Sequence, residues 1–220
     1  MSTARETILS RIRHATRDVP RDERPEDVSV ERGYRTEDGS ARPEIVARFA
    51  ETVAEYEATV HRVTAEDLPG AISEALERRG VGRLVVPADL PEGWRPQDVE
   101  LLEDGPENPL DNDALDGSDG VLTGCALGIA QTGTIVLDSG ATQGRRAITL
   151  LPDYHLCVVR EGQIVGLVPE AIEQLGDAVE NEGWAVTFIS GPSATSDIEL
   201  NRVEGVHGPR TLEVLIVGAP

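Results

Sequence analysis

Apolar residues fall at helical spacing in a few stretches of this chain and cluster in short blocks between them. The clearest stretch, PEIVARFAETVAEYEATV at 43–60, puts Ile45, Val46, Phe49, Val53 and Tyr56 on one face, and Pro43 suits a first helical turn. ATVHRV then reads as a short strand, Leu68 to Arg79 as a second helix stopped by Gly80, and Arg83 to Pro87 as a buried strand. Helices and strands alternating through short connections predict a parallel βαβ organisation. Upstream, residues 3–18 form a short amphipathic pattern carried by Ile8, Leu9 and Ile12, followed by a polar, Pro-punctuated stretch at 19–42. Residues 1–42 read as an arm lying on the domain or on a partner, or as a partly disordered tail, and 43–220 as the α/β domain.

The second half continues the pattern. GVLTGCALGIAQTGTIVLDSG combines a small-residue segment, expected to be a helix close to a sheet through Gly124 and Gly128, with a strand at Thr134–Leu137. Residues 146–151 and 156–159 read as apolar strands, or a short helix leading into one, and 163–167 as another strand. A helix opens at Pro169 and runs to 181. Strands follow at 184–189 and 212–217, separated by a loop at 191–199 that contains a helix start.

Composition narrows the chemistry. At 220 residues the chain suits one domain with an appendage, and 39% hydrophobic against 3% aromatic residues means an aliphatic core. Forty acidic and 20 basic residues give a net charge of −20, and every basic residue is arginine. Without lysine there is no Walker A loop, no pyridoxal Schiff base and no lysine nucleophile. The charge argues against nucleic acid and against anionic membrane surfaces. No apolar run is long enough for a membrane span and no hydrophobic signal core follows the N-terminal arginines, so a cytoplasmic protein is expected. Residues 98–119 hold nine acids and no base, which after a strand at 99–102 makes a solvated loop. Asp111 and Asp113 share the first spacing of a calcium loop, but Leu115 takes the next ligand position and no glycine follows in register.

Several motifs have plain readings. VLDSGAT at 136–142 resembles an aspartic-protease signature, which would need two such aspartates in a homodimer; with helices predicted on both sides, Asp-Ser-Gly is ordinary turn chemistry. His14, His61, His155 and His207 lack metal-ligand spacing, and His155 with Cys157 on one strand face reads as a half-buried structural pair, so no metal is expected. Cys125 and Cys157 are too few for an iron–sulfur cluster. Neither a GxSxG elbow nor a GxGxxG fingerprint follows a strand.

Three loops carry polar groups suited to a ligand. GPSATSDIE at 191–199 gathers Ser193, Thr195, Asp197 and Glu199 behind an apolar strand. At the carboxyl end of a parallel strand such a loop would form an anion site for a carboxylate or phosphate; the alternative is a helix N-cap cluster. GVHGPR at 205–210 places His207 between glycines, free to act as acid, base or hydrogen-bond donor, or simply sets a turn with Gly208. Thr132, Gly133 and Thr134 bring backbone close to a ligand or make a tight turn.

Taken together, AQTGTIVLD at 130–138, LLPDYHLCVV at 150–159, SGPSATSDIE at 190–199 and GVHGPRTLEVLIV at 205–217 resemble the LUD domain of the LutC/YkgG lactate-utilisation family, over about the last hundred residues. The resemblance implies a three-layer α/β fold with a mostly parallel sheet, similar to ribose-5-phosphate isomerase, glucosamine-6-phosphate isomerase and CoA-transferases. It implies a role in oxidising L-lactate to pyruvate alongside partners that carry iron–sulfur clusters, with no cofactor bound by this chain. Two alternatives stay open: a stand-alone isomerase or CoA-transferase-like enzyme on a small phosphorylated or CoA-linked acid, with Glu199 the candidate nucleophile, or a non-catalytic scaffold using the acidic loop and the arm. The motifs suggest Ser193 and Thr195 as donors to a carboxylate or phosphate, with Thr132, Gly133 and Thr134 opposite. They suggest Asp197 or Glu199 as a base, and His207, beside Gly208, as the group that holds or deprotonates a 2-hydroxyl. Gln131 stands where an acid often precedes Thr-Gly-Thr, and Ala194 where a larger or polar residue is common.

Overall fold

The apolar blocks become strands of a parallel sheet in the computed structural model, which describes residues 3–20, 22, 24, 29–31, 33–182, 185–195, 203–205 and 207–218. The chain divides into two units, Met1–Tyr34 and Arg35–Pro220. In the first, helix α1 (Ala4–Ala15) starts at a capping box in which Thr3 and Glu6 satisfy each other's backbone N–H groups. Its Ile8 and Ile12 are exposed within the chain.

The second unit is built on six strands: β1 (Thr59–Val63), β2 (Arg83–Pro87), β3 (Glu100–Asp104), β4 (Gly120–Thr123), β7 (Tyr154–Arg160) and β12 (Thr211–Val217). They lie in the order β1-β12-β7-β4-β2-β3, and every neighbouring pair is parallel. Alternation decides what each face meets. Leu156, Val158, Leu215 and Val217 point to helix α3 (Leu68–Arg79), where they meet Ile72 and Leu76. Cys157, Val159, Val214 and Ile216 point the other way, to helix α2 (Arg42–Glu55) and its Val46, Phe49 and Val53. Helix α3 ends where Gly80 turns left-handed, φ 65°, as Gly80 in the sequence leads one to expect.

A second, four-stranded sheet packs on the α2 side. Its strands β5 (Leu127–Ile129), β6 (Thr134–Leu137), β8 (Ile164–Val165) and β9 (Thr187–Ile189) are ordered β8-β5-β6-β9. Ile135 and Leu137 face the α2 core, while Leu127, Ile129 and Val136 face helix α5 (Val168–Glu182). Helix α3, the parallel sheet and helix α2 make the three layers of the α/β architecture that the family resemblance implies, with the mixed sheet and α5 added on the α2 side. A short helix α4 (Asn112–Asp116) and a 3₁₀ turn at Arg146–Thr149 close the remaining face over Val85 and Val121. Strands β10 (Ala194–Thr195) and β11 (Val203–Glu204) pair as an antiparallel ribbon.

Two sequence expectations are corrected. The small-residue segment around Gly124 and Gly128 is two strands, β4 and β5, and not a helix. Its glycines let neighbours approach instead: a Cβ on Gly128 would lie 2.8 Å from the Phe49 ring. The loop at 191–199 does not leave a parallel strand, because β9 pairs antiparallel with β6 in the second sheet.

Candidate functional site

The polar loops singled out above meet around a cavity of about 210 Å³ at the amino ends of β7 and β12, beside β9. Ser193, His207 and Gly208 all line it. Ser193 is fixed from three sides. Its N–H donates to the Pro209 carbonyl at 2.8 Å, its carbonyl accepts from Gly205 at 2.9 Å, and its Oγ accepts from the His207 N–H at 2.8 Å. With Oγ already accepting, its hydroxyl proton is free to point into the cavity.

Thr132 and Thr134 reach the site indirectly. Their hydroxyls lie 2.7 Å apart, and Thr134 Oγ1 is 2.8 Å from Ser190 Oγ, which lines the cavity. Three hydroxyls thus form a chain ending at the ligand space. Gly133 has a different role: at φ 57° it lets the β5–β6 turn approach α2, where a Cβ would sit 2.6 Å from the Thr52 carbonyl carbon. Thr195 lies in β10, paired with Val203. Asp197 and Glu199 lie outside the described residues.

The groups that motif reading did not select supply the charge. Arg146 lines the cavity, donating from Nη1 to the Thr149 carbonyl and Oγ1 at 2.9 and 3.0 Å and from Nη2 to the His207 carbonyl at 3.5 Å. Among the described residues no carboxylate pairs with it. Burial lowers its pKa by desolvating the cation. An arginine with no carboxylate partner among the described residues, in a chain with twice as many acids as bases, is the main chemical feature of the site. The sequence signal is Arg145-Arg146, adjacent cations after a turn, with Arg146 at the start of an apolar segment.

His155 also lines the cavity and is almost completely buried, not half-buried as expected. Its Nε2 lies 2.8 Å from Thr123 Oγ1 on the neighbouring strand, which pins the ring. Behind it the buried Cys125 thiol hydrogen-bonds Cys157, lowering the Cys157 thiol and raising that of Cys125; His155 adds to the lowering of Cys157. Among the described residues no group of three or more His, Cys, Asp or Glu could hold a metal. Two buried thiols also do not fit an iron–sulfur cluster, which takes about four ligands.

The protease-like motif resolves as a turn. Asp138 Oδ1 accepts from the Gly140 N–H at 2.9 Å and from Gln143 Nε2 at 2.7 Å, while the Asp138 N–H donates to Gln143 Oε1 at 2.8 Å. Among the described residues no helix is long and apolar enough to cross a membrane.

Comparison with known proteins agrees with this reading of the sequence. Lactate utilization protein C of Deinococcus radiodurans is 51% identical over 178 residues, which cover 81% of this chain and 82% of that protein. The protein of the same name from Geobacillus kaustophilus is 29% identical, over 70% of each chain. The crystal structure of a DUF162 family protein from Deinococcus radiodurans superposes with a TM-score of 0.71 at 45% identity, covering 81% of this chain and 99% of that one. The LUD domain model matches residues 46–217, which include every described residue of the cavity, and the chain belongs to the LUD domain family.

Proposed function

We propose that this chain is a component of a lactate-utilisation system in which L-lactate is oxidised to pyruvate by an assembly with iron–sulfur partner proteins, and that the cavity around Arg146 receives the 2-hydroxy acid. The observation that carries the reading is Arg146 lining a cavity of about 210 Å³ with no carboxylate partner among the described residues, in a relative of proteins named for lactate utilisation. That volume suits a ligand of a few heavy atoms and falls below the roughly 300–1,000 Å³ typical of larger ligands. Arg146 would bind the carboxylate as a fork, with the Ser190 and Ser193 hydroxyls beside it. His207 or His155 would take the hydroxyl proton, and the two electrons with the second proton would leave for a partner's acceptor, because two buried thiols cannot carry a cluster here.

The test is lactate-dependent dye reduction by the tagged chain, isolated without oxygen from its own cells, beside the same chain purified alone. Activity and iron in the native isolate only are expected. Arg146→Gln should lower that activity at least about tenfold, since a charge-assisted hydrogen bond is worth about 1.5–3 kcal/mol. Lactate activity in neither sample would overturn the reading.

A further inference from the structure

A second, larger cavity lies at the carboxyl ends of β2 and β3, the edge at which parallel sheets bind ligands. Its volume of about 660 Å³ is within the range that holds cofactor-sized molecules. Residues 138–145 form one wall, and their backbone is unusual. Ser139 and Thr142, neither a glycine, sit at φ 63° and 65°, and Gly144 at 65°. Such backbone costs on the order of 1 kcal/mol per residue and persists only where the surroundings impose it. Here the buried Gln143 holds both the N–H and the carboxylate of Asp138, and Asp89 Oδ2 takes the Thr142 N–H at 2.8 Å.

The result is a concave run of backbone donors. The N–H groups of Ser139, Ala141, Gly144 and Arg145 have no acceptor among the described residues. Arg145 stands behind them. Its Nε and Nη2 grip the buried Asp104 at 2.8 to 3.1 Å, leaving Nη1 without a partner among the described residues. Free N–H groups in a left-handed turn backed by a guanidinium are an anion nest. Asp104 fixes the arginine, which lines the cavity with Nη1 not used in that pair. Asp89, held against this wall by the Thr142 N–H, lines the cavity and keeps Oδ1 without a donor among the described residues. The floor is Pro87 and Ala88, and the far lip is Pro106 and Pro109, flat apolar surfaces that would pack on a ring.

We propose that this cavity binds a nucleoside phosphate, with the phosphate in the 139–145 nest and on Arg145, a ribose hydroxyl on Asp89, and the base against Pro106 and Pro109. A sugar phosphate would leave the prolines uncovered. A 2-hydroxy acid would fill little of the volume.

Titration calorimetry and thermal unfolding of the full chain with AMP, adenosine and inorganic phosphate test the proposal. AMP should bind saturably and at least about tenfold tighter than adenosine or phosphate. Ala141→Phe, at an exposed position that leaves the Arg145–Asp104 pair intact, should weaken AMP at least about tenfold. Asp89→Asn keeps an oxygen for the Thr142 N–H and should narrow the preference for AMP over its 2′-deoxy form. Arg146→Gln, in the other cavity, should leave AMP affinity unchanged. No saturable AMP binding, binding that survives both Ala141→Phe and Asp89→Asn, or binding lost with Arg146→Gln instead would each overturn it, and none of these results depends on lactate.

Discussion

Arg145 and Arg146 are neighbours in sequence with the same chemistry, yet each lines a different cavity, and what separates them is their partners. Arg145 is held by a buried aspartate, which raises its pKa; Arg146 is held by carbonyls and a hydroxyl, and burial lowers its pKa. Gly133 shows the opposite lesson, since a residue picked out as a ligand contact is a packing position. Gly133→Ala should destabilise the protein by about 2 kcal/mol or more, because the left-handed φ and the 2.6 Å approach to Thr52 act together. Gly162→Ala, with open space around it, should leave the melting temperature nearly unchanged. Asp38 sets an acid limit. The hydroxyl and N–H of Ser40, and then Arg48, hold its carboxyl down to about 2 from 3.8. A carboxylate with a lowered folded pKa adds stability that is fully present above its unfolded value and lost as pH falls toward the folded one. Thermal unfolding should therefore show a loss between pH about 4 and about 2 that Asp38→Asn reduces.

At the scale of elements, the parallel sheet is held by packing and, across β1, β12 and β7, by a buried carboxylate. Glu213 on β12 is 1% exposed, and it accepts from Tyr154 of β7 at 3.0 Å and from Arg78 of α3 at 2.6 Å, with His61 of β1 at 2.9 Å. Four elements converge on one carboxylate. Glu213→Leu should cost about 1–3 kcal/mol, most of it from orphaning the buried Tyr154 hydroxyl, since Arg78 and His61 are exposed enough to regain water. Tyr154→Phe, which leaves Glu213 two partners, should cost about 1 kcal/mol, and urea unfolding of both variants reads the difference. The elements themselves were mostly legible. Helices α2, α3 and α5 carry an apolar periodicity, and β2, β7 and β12 are apolar blocks, because burial on both faces demands them. Gly124 to Gly128 misled, since small residues suit a close strand as well as a close helix. The second sheet was not legible, because pairing between β6 and β9, some fifty residues apart, leaves no local pattern. For the same reason Ser193 and His207 could be chosen as polar loop residues while Arg146, their neighbour only in space, could not.

For the molecule as a whole, the excess of twenty negative charges opposes compaction, and it does so at long range. Exposed ion pairs such as Arg210–Asp153 and Arg62–Glu161 act against it at short range, but each is worth about 0–1 kcal/mol. The two contributions respond to salt in opposite directions. Raising salt from about 0.01 M to about 1 M shortens the screening length from about 30 Å to about 3 Å, which removes most repulsion between distant carboxylates and leaves close, partly buried pairs such as Arg145–Asp104 largely unscreened. Because the excess charge is spread over the whole chain and the exposed pairs are weak, repulsion should dominate, and the melting temperature should rise by several degrees across that range. A chloride salt is the right choice, since sulfate strengthens hydrophobic burial by itself. Moving from pH 7 toward the isoelectric point near 4.5 should raise stability at low salt for the same reason, and do so much less at high salt. If added chloride instead lowers the melting temperature, the exposed arginine pairs contribute more than their separate values suggest. The absence of lysine would then have a physical meaning, because forked guanidinium–carboxylate contacts would be what holds so acidic a chain together.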